Sequence, residues 1–323
     1  MTTAMLSLTA LSSALLASEP VVAQTTYPTK TIHLIVPFPP GGPTDVVARF
    51  LASGMQESFG QPVTVENHAG AGSNIGMGLA ARANPDGYTL LVATTAFTIN
   101  PSLYKNVPYD PFKDFIPIAD LAASPNIFVA GPKTGITSMA ELVARAKANP
   151  GKLNYATPGS GTPTHLAAEL LNQQANITLV KIPFPGGGQT AQAVLAGTTE
   201  LASTALSNVQ EYIRAGTLNA LAITSADRWP DLPHVPTMIE LGYPNFVSET
   251  GLFFLAPAGT RADIVEKLSK EAIAILRRPE VQDRLRQGGI GVIGGGPEAL
   301  KARIAKEVPF FKKLAAAANI EMQ

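Results

Sequence analysis

Short apolar runs alternate with amphipathic stretches along this chain, and Gly, Pro, Asn and Asp mark nearly every change between them. Residues 31–36 are mostly β-branched and apolar. They run through Pro37, Phe38, Pro39, Pro40, Gly41 and Gly42 into a helical pattern over 43–59 that ends at Gly60. A strand over 63–66 is followed by Gly70, Ala71, Gly72, Ser73 and Asn74 and then a helix to about Arg82. A turn at 84–87 precedes a strand over 88–93. Residues 100–115 carry Pro and Tyr in turn-like places and read as an irregular connection, after which a strand over 126–130 opens a second block.

That block repeats the pattern. Ser138 caps a helix over 139–148, stopped by Asn149, Pro150 and Gly151. Strands over 153–156, 178–182 and 201–204 lead to helices over 164–174, 189–196 and 208–214, and a strand follows over 220–224. A short helix is expected to end at Leu241 and Gly242, and the apolar run 251–256 reads as a strand crossing back. Amphipathic helices over 262–277, 279–287 and 297–318 finish the chain, with a kink expected at Pro309. Strands alternating with helices of these lengths predict an α/β fold with mostly parallel sheets covered on both faces. Two lobes result: 27–124 with 250–323, and 125–249, joined by crossings near 125 and 250. Ligand sites in open α/β sheets lie at the C-terminal strand ends, so two facing sheets make an interlobe cleft.

Composition narrows the function. The 323 residues suffice for two real cores; Lys plus Arg and Asp plus Glu both number 24, giving no net charge. No basic run marks a nucleic-acid binder. With no cysteine, disulfides, thiol catalysis and thiolate metal sites are excluded, and the four histidines lack ligand spacing, so no metal and no cofactor are expected. Residues 4–17 are small and apolar, and Val21, Val22 and Ala23 give a small-x-small pattern, predicting an export signal over 1–23 cleaved before Gln24. No Lys or Arg precedes Lys30, so the usual positive start of such a signal is missing.

Four Gly-rich turns open helices: 37–45, 70–74, 157–162 and 185–188. A glycine admits a ligand close to the backbone, and a helix start offers unpaired N–H groups to an anion. No turn contains Lys or Arg, so neutral donors and helix dipoles are expected to hold a carboxylate. Asp45 would repel an anion and is read as a structural residue paired to Arg49. Thr162 before Pro163 is a good helix cap. His165 stands in the first helical turn, where the dipole disfavours its protonation; ligand contact and packing are both open to it. Phe38 and Phe184, each beside a turn, are candidate cleft residues. Residues 70–76 imitate a dinucleotide fingerprint, but the spacing is one longer than GxGxxG and the unit is not the first. Ser160 lacks the GxSxG elbow of a hydrolase.

The run Tyr27-Pro28, Ile35-Val36-Pro37-Phe38-Pro39-Pro40-Gly41-Gly42, Asp45 and Ala48-Arg49 resembles the start of tripartite tricarboxylate transporter substrate-binding receptors. Colinear matches continue through Gly70-Ala71-Gly72, Pro85-Asp86-Gly87-Tyr88, Gly159-Ser160-Gly161-Thr162, His165-Leu166-Ala167 and Leu255-Ala256-Pro257-Ala258-Gly259-Thr260. The resemblance implies a two-lobed, class II periplasmic-binding-protein fold. It implies a monomer that captures a small mono- or dicarboxylate in the periplasm and passes it to a membrane permease without chemistry. The ligand is expected at Phe38, Pro40, Gly41, Gly42, Ala71, Gly72, Ser73, Asn74, Thr95, Ser160, Gly161, Thr162, His165, Phe184, Gly186, Gly187 and Thr204. Two departures stand out: Thr204 replaces a frequent acidic residue, which disfavours an ammonium-bearing ligand, and Gly251 replaces a frequent aromatic, which is expected to enlarge the cleft. A secreted α/β enzyme using the same cleft, or a ligand-sensing subunit, are the alternatives.

Overall fold

The computed structural model describes residues 27–317, so the expected export signal lies outside the described residues. Strand β1 (Ile32–Val36) leads to α1 (Pro43–Phe59), β2 (Val63–Asn67) to α2 (Asn74–Ala81), and β3 (Thr89–Thr94) to α3 (Ala96–Leu103). The longest strand, β4 (Phe115–Ala130), carries the chain into a second body. There α4 (Met139–Ala148), β5 (Asn154–Thr157), α5 (Pro163–Ala175), β6 (Val180–Pro183), α6 (Gly187–Ala196), β7 (Leu201–Ala205), α7 (Gln210–Arg214) and β8 (Asn219–Ile223) follow in order. Strand β9 (Glu249–Pro257) returns to the first body, completed by α8 (Ala262–Leu276), α9 (Pro279–Gln287), β10 (Gly291–Gly295) and α10 (Pro297–Ala317).

Strands β2, β1 and β3 are parallel neighbours, as are β6, β5 and β7. The remaining pairs are antiparallel. Strand β9 lies between β3 and the first half of β4, β10 pairs with that same half, and the second half of β4 pairs with β7 and β8. The expectation of mostly parallel sheets therefore holds only for the two outer triplets. The reason is geometric: β4 leaves the first body and β9 comes back beside it, so the two run in opposite directions. Each body has its own apolar core, one built around Leu34, Leu51, Leu90 and Phe254, the other around Phe128, Tyr155, Leu171 and Phe246.

Four local expectations fail. Residues 96–103 form α3, so the first part of the stretch 100–115 read as irregular is helical. Pro101 removes the N–H that would bond the Phe97 carbonyl, and the Tyr109 hydroxyl donates to that carbonyl instead at 2.9 Å. Strand β4 begins eleven residues earlier than expected. Its prolines and Asp120 disguise it, and register shifts between Pro117 and Ala119 and between Asp120 and Ala122 accommodate them. The Gly-rich β10 is an unexpected strand. The helix expected before Gly242 is a turn in which Glu240 accepts from the Thr237 N–H and Thr237 from the Glu240 N–H. At the C-terminus α10 continues through Pro309 as one helix.

Candidate ligand site between the lobes

The first wall of the cleft is the turn from β1 into α1. Gly41 takes φ +90°, and Pro43 supplies the first helical residue without wasting an N–H. Asp45, 3% exposed, holds the turn closed. Its carboxylate accepts from Arg49 Nε at 2.9 Å and Nη2 at 3.0 Å, from the Gly41 N–H at 3.1 Å, and from Asn67 Nδ2 at 3.1 Å. Burial acts to raise this carboxyl, but the hydrogen bonds outweigh it and hold the group below the usual carboxylate range. Asp45 is thus the structural residue expected from the sequence, and it consumes one of the N–H groups of the turn.

The second wall is the turn from β5 into α5. Thr162 accepts from the His165 N–H at 3.3 Å and donates to the Gly159 carbonyl at 2.9 Å, the cap expected of it. Thr164 shares hydrogen bonds with Thr157 and Thr162, and Ser203 donates to its carbonyl at 2.6 Å. His165 lies beneath, 2% exposed, with Nδ1 accepting from the Gly161 N–H and Nε2 3.3 Å from the Lys181 ammonium. Burial, with the Lys181 charge beside the ring, lowers its pKa to about 3, so the imidazole is neutral and its approach to Glu169 is no ion pair. The helix dipole pushes in the same direction, but burial is the larger cause.

The third wall is the start of α6 at Gly186 and Gly187. Neither α1 nor α6 has a side-chain cap, so their first-turn N–H groups are left for a ligand or solvent. Helices α1, α5 and α6, of 17, 13 and 10 residues, all present their first turns to one cavity. Its free volume is about 40 Å³ and its lining includes Phe38, Pro39, Pro40, Gly42, Pro43, Thr44, Thr94, Pro158, Thr162, Pro163, Thr164, Gly186, Gly187, Gln189, Asn208 and Thr250. No charged side chain lines it. The lobes touch on both sides: Pro39 packs on Gly186, and the Tyr104 hydroxyl donates to the Ser160 carbonyl at 3.2 Å. A groove of about 790 Å³ between α8 and α10 is larger, but it lies within one lobe and its lining includes Glu266, Lys270, Glu298 and Lys301.

Of the residues singled out from sequence, Phe38, Pro40, Gly42, Thr162, Gly186 and Gly187 line the cavity. Gly41 and Phe184 line a neighbouring hollow that shares Pro40, Gly188, Gln189 and Asn208 with the cavity. Ala71, Gly72, Ser73 and Asn74 stand outside the lining, their loop tied by Asn100 Nδ2 to the Gly72 carbonyl and to Asn74 Oδ1, with Gly72 packed on Tyr104 and the Ser160 carbonyl. Ser160 and Gly161 meet that loop rather than the cavity, and the N–H of Gly161 is spent on His165. Thr95 bonds the Gly251 N–H at 2.8 Å, His165 is beneath the turn, and Thr204 is buried against Asn208. Gly251 does not enlarge the cleft: a Cβ there would lie 2.9 Å from Arg303 Cζ, so that space is already filled. Sequence reasoning missed Thr44, Thr94, Thr164, Gln189, Asn208 and Thr250. Thr44 and Thr164, each directly after a helix-opening Pro, carried a readable signal; Asn208 carried none.

A family model for the tripartite tricarboxylate transporter family receptor matches residues 47–319. This chain belongs to that receptor family. Protein BugT of Bordetella pertussis is 37% identical over 289 residues, 89% of each chain. The solved structure of the periplasmic binding protein BugD is 37% identical, with a TM-score of 0.88 over 92% of this chain and all of BugD. The R. palustris protein Rpa4515, solved with adipate, is 30% identical, with a TM-score of 0.89 over 92% of this chain and all of that one. The α/β receptor fold expected from the sequence is the fold of these relatives, and the chain is a solute-binding protein of the receptor family.

Proposed function

We propose that this receptor captures a small organic carboxylate between lobes 27–124 plus 250–323 and 125–249, and delivers it outside the cytoplasm to a membrane permease. The observation that carries this is the convergence of three long helix N-termini, from both lobes, on a cavity lined by hydroxyls and amides but no charged side chain. Oriented N–H dipoles favour an anion there, and the absence of a carboxylate leaves an ammonium group without a counter-charge. The donors are the first turns of α1, α5 and α6, with Thr44, Thr94 and Thr162 around them. Adipate in a structural relative supports the ligand class. Binding draws the lobes together about β4 and β9, and the closed form is what the permease reads. We read the chain as a binder rather than a catalyst, because the cavity wall holds no acid, base or thiol to work on a substrate, and as a monomer on the family resemblance alone.

The test is thermal unfolding of the chain from Gln24 onward against carboxylates, amino acids and NAD(P). A ligand at one hundred times its dissociation constant adds about 2.7 kcal/mol to the stability of the native state. A rise in melting temperature with carboxylates, and the compound recovered unchanged, is the expected result. A rise with NAD(P), or conversion of the compound, overturns it.

A further inference from the structure

Next to the ligand cavity lies a second hollow, a groove of about 500 Å³ between α5 of one lobe and α10 of the other. The two are neighbours: Pro163 belongs to both walls, Thr94 and Thr250 line the cavity, and Thr95 and Glu249 line the groove. Side chains alternate along a strand, so Glu249, which precedes Thr250 at the start of β9, turns away from the cavity and toward Arg303. Leu166 and Leu170 of α5, Val247, and Phe310, Phe311 and Leu314 of α10 give the groove apolar walls. Val247 and Phe310, one on each lobe, are 51% and 55% exposed, so these walls run out to the surface.

The inner end is charged, and its charges do not balance. Arg303 is spent on two carboxylates: Nη1 donates to both oxygens of Asp120 at 3.1 Å, and Nε donates to Glu307 at 2.7 Å. Glu307 also accepts from the Thr98 hydroxyl at 2.8 Å. Glu249 is the third carboxylate. Among the described residues it has no hydrogen-bond donor and no ion-pair partner, and its oxygens are not sealed from solvent. Burial raises its pKa from the ordinary glutamate value; Arg303 opposes this and Asp120 adds to it. Lys306 lines the groove too, exposed on a long side chain and in no ion pair among the described residues. Even with Lys306 counted, three negative groups meet two positive ones.

We propose that this groove is a second ligand site, for a small molecule carrying an ammonium group on an apolar or aryl body, with Glu249 taking the ammonium and Phe310 and Phe311 the body. An unmatched, half-buried carboxylate repels an anion and gains from a cation that donates to it. The aromatic walls favour a cation with an organic body, and an ammonium held near a phenyl face gains further attraction. A metal ion is poorly served, because no three ligating groups gather among the described residues. Cavity and groove thus differ in sign: helix N–H groups without a counter-charge in one, an unpaired carboxylate in the other. Since the walls of the groove come from both lobes, its occupant bears on their closed arrangement.

The experiment is calorimetric titration of the chain from Gln24 with 2-phenylethylammonium and with 2-phenylethanol, which has the same body and no charge. The wild-type chain binds the ammonium at least tenfold more tightly than the alcohol, the scale of one hydrogen bond to a charged group. Glu249→Gln, which removes no hydrogen bond of the folded chain, brings the ammonium to within about twofold of the alcohol. Phe310→Ala, at an exposed position where the fold does not depend on the ring, weakens both compounds several-fold and keeps the preference for charge. Failure of the wild-type chain to bind the ammonium overturns the site. So does equal affinity for the two compounds, ammonium binding that survives Glu249→Gln, or binding untouched by Phe310→Ala.

Discussion

The turns that open α1 and α5 face each other across the cleft and share one plan: a strand end, glycines, a proline at the first helical position. They are braced in opposite ways. In the first lobe a buried carboxylate, Asp45, gathers Arg49, Asn67 and the Gly41 N–H. In the second lobe no charge touches the turn itself. Hydroxyls of Thr157, Thr162 and Thr164 and the neutral ring of His165 do the holding. Helix starts can therefore be aimed at an anion with either an ionic or a neutral brace, provided that any negative charge is spent on internal donors. The two braces differ in what breaks them.

The largest expected effect is Asp45→Ala. It takes their shared acceptor from the Gly41 N–H, Asn67 Nδ2 and Arg49 and releases the turn, costing about 2–3 kcal/mol in denaturant-measured stability. Ligand affinity should fall with it. A variant that melts and binds like the wild type would show that the brace is dispensable.

Acid should separate the lobes next. The His165 pKa is about 3 in the folded chain, against about 6.5 when unfolded, so the unfolded state gains the proton first as pH drops. Stability from the neutral ring is intact above pH 6.5 and drains away down to pH 3, about 2 kcal/mol of it by pH 5. The Asp45 carboxyl is depressed, so its contribution survives until the pH falls below roughly 4. Melting temperatures at pH 7.5 and 5.0 should therefore drop for the wild type and much less for His165→Gln. The same drop in both would place its origin elsewhere. The smallest effect is Thr162→Ala, which removes the cap of α5 at a cost of about 1 kcal/mol. A loss as large as that of Asp45→Ala would mean that the neutral brace carries as much as the ionic one.

Much of this was legible in the sequence because it is local. The Pro43 start, the Gly60 stop, the Asp45–Arg49 spacing and the Thr162 cap each depend on residues within one turn of each other. What escaped depends on partners far along the chain. Helix α3 survives Pro101 because Tyr109 supplies the missing donor, and the first half of β4 is a strand only because β9 and β10 flank it. Asn208 reached the cleft wall through its stacking on Gly187, a contact that leaves no trace in spacing. The glycines of 70–74 and 159–161 advertised backbone access, yet the lobes use them largely to approach one another.

The place of β9 has a consequence for how the chain is made. It is the inner strand between β3 and β4, yet it is assembled from residues 249–257. During synthesis or passage through a membrane from the N-terminus, the first lobe has its outer strands long before the one that joins them. The second lobe, continuous from 125 to 249 apart from its shared strand, can complete its contacts while the first still waits. Folding should thus proceed from the middle of the sequence outward, with the first lobe held open and compatible with an extended, exportable chain until its last third arrives.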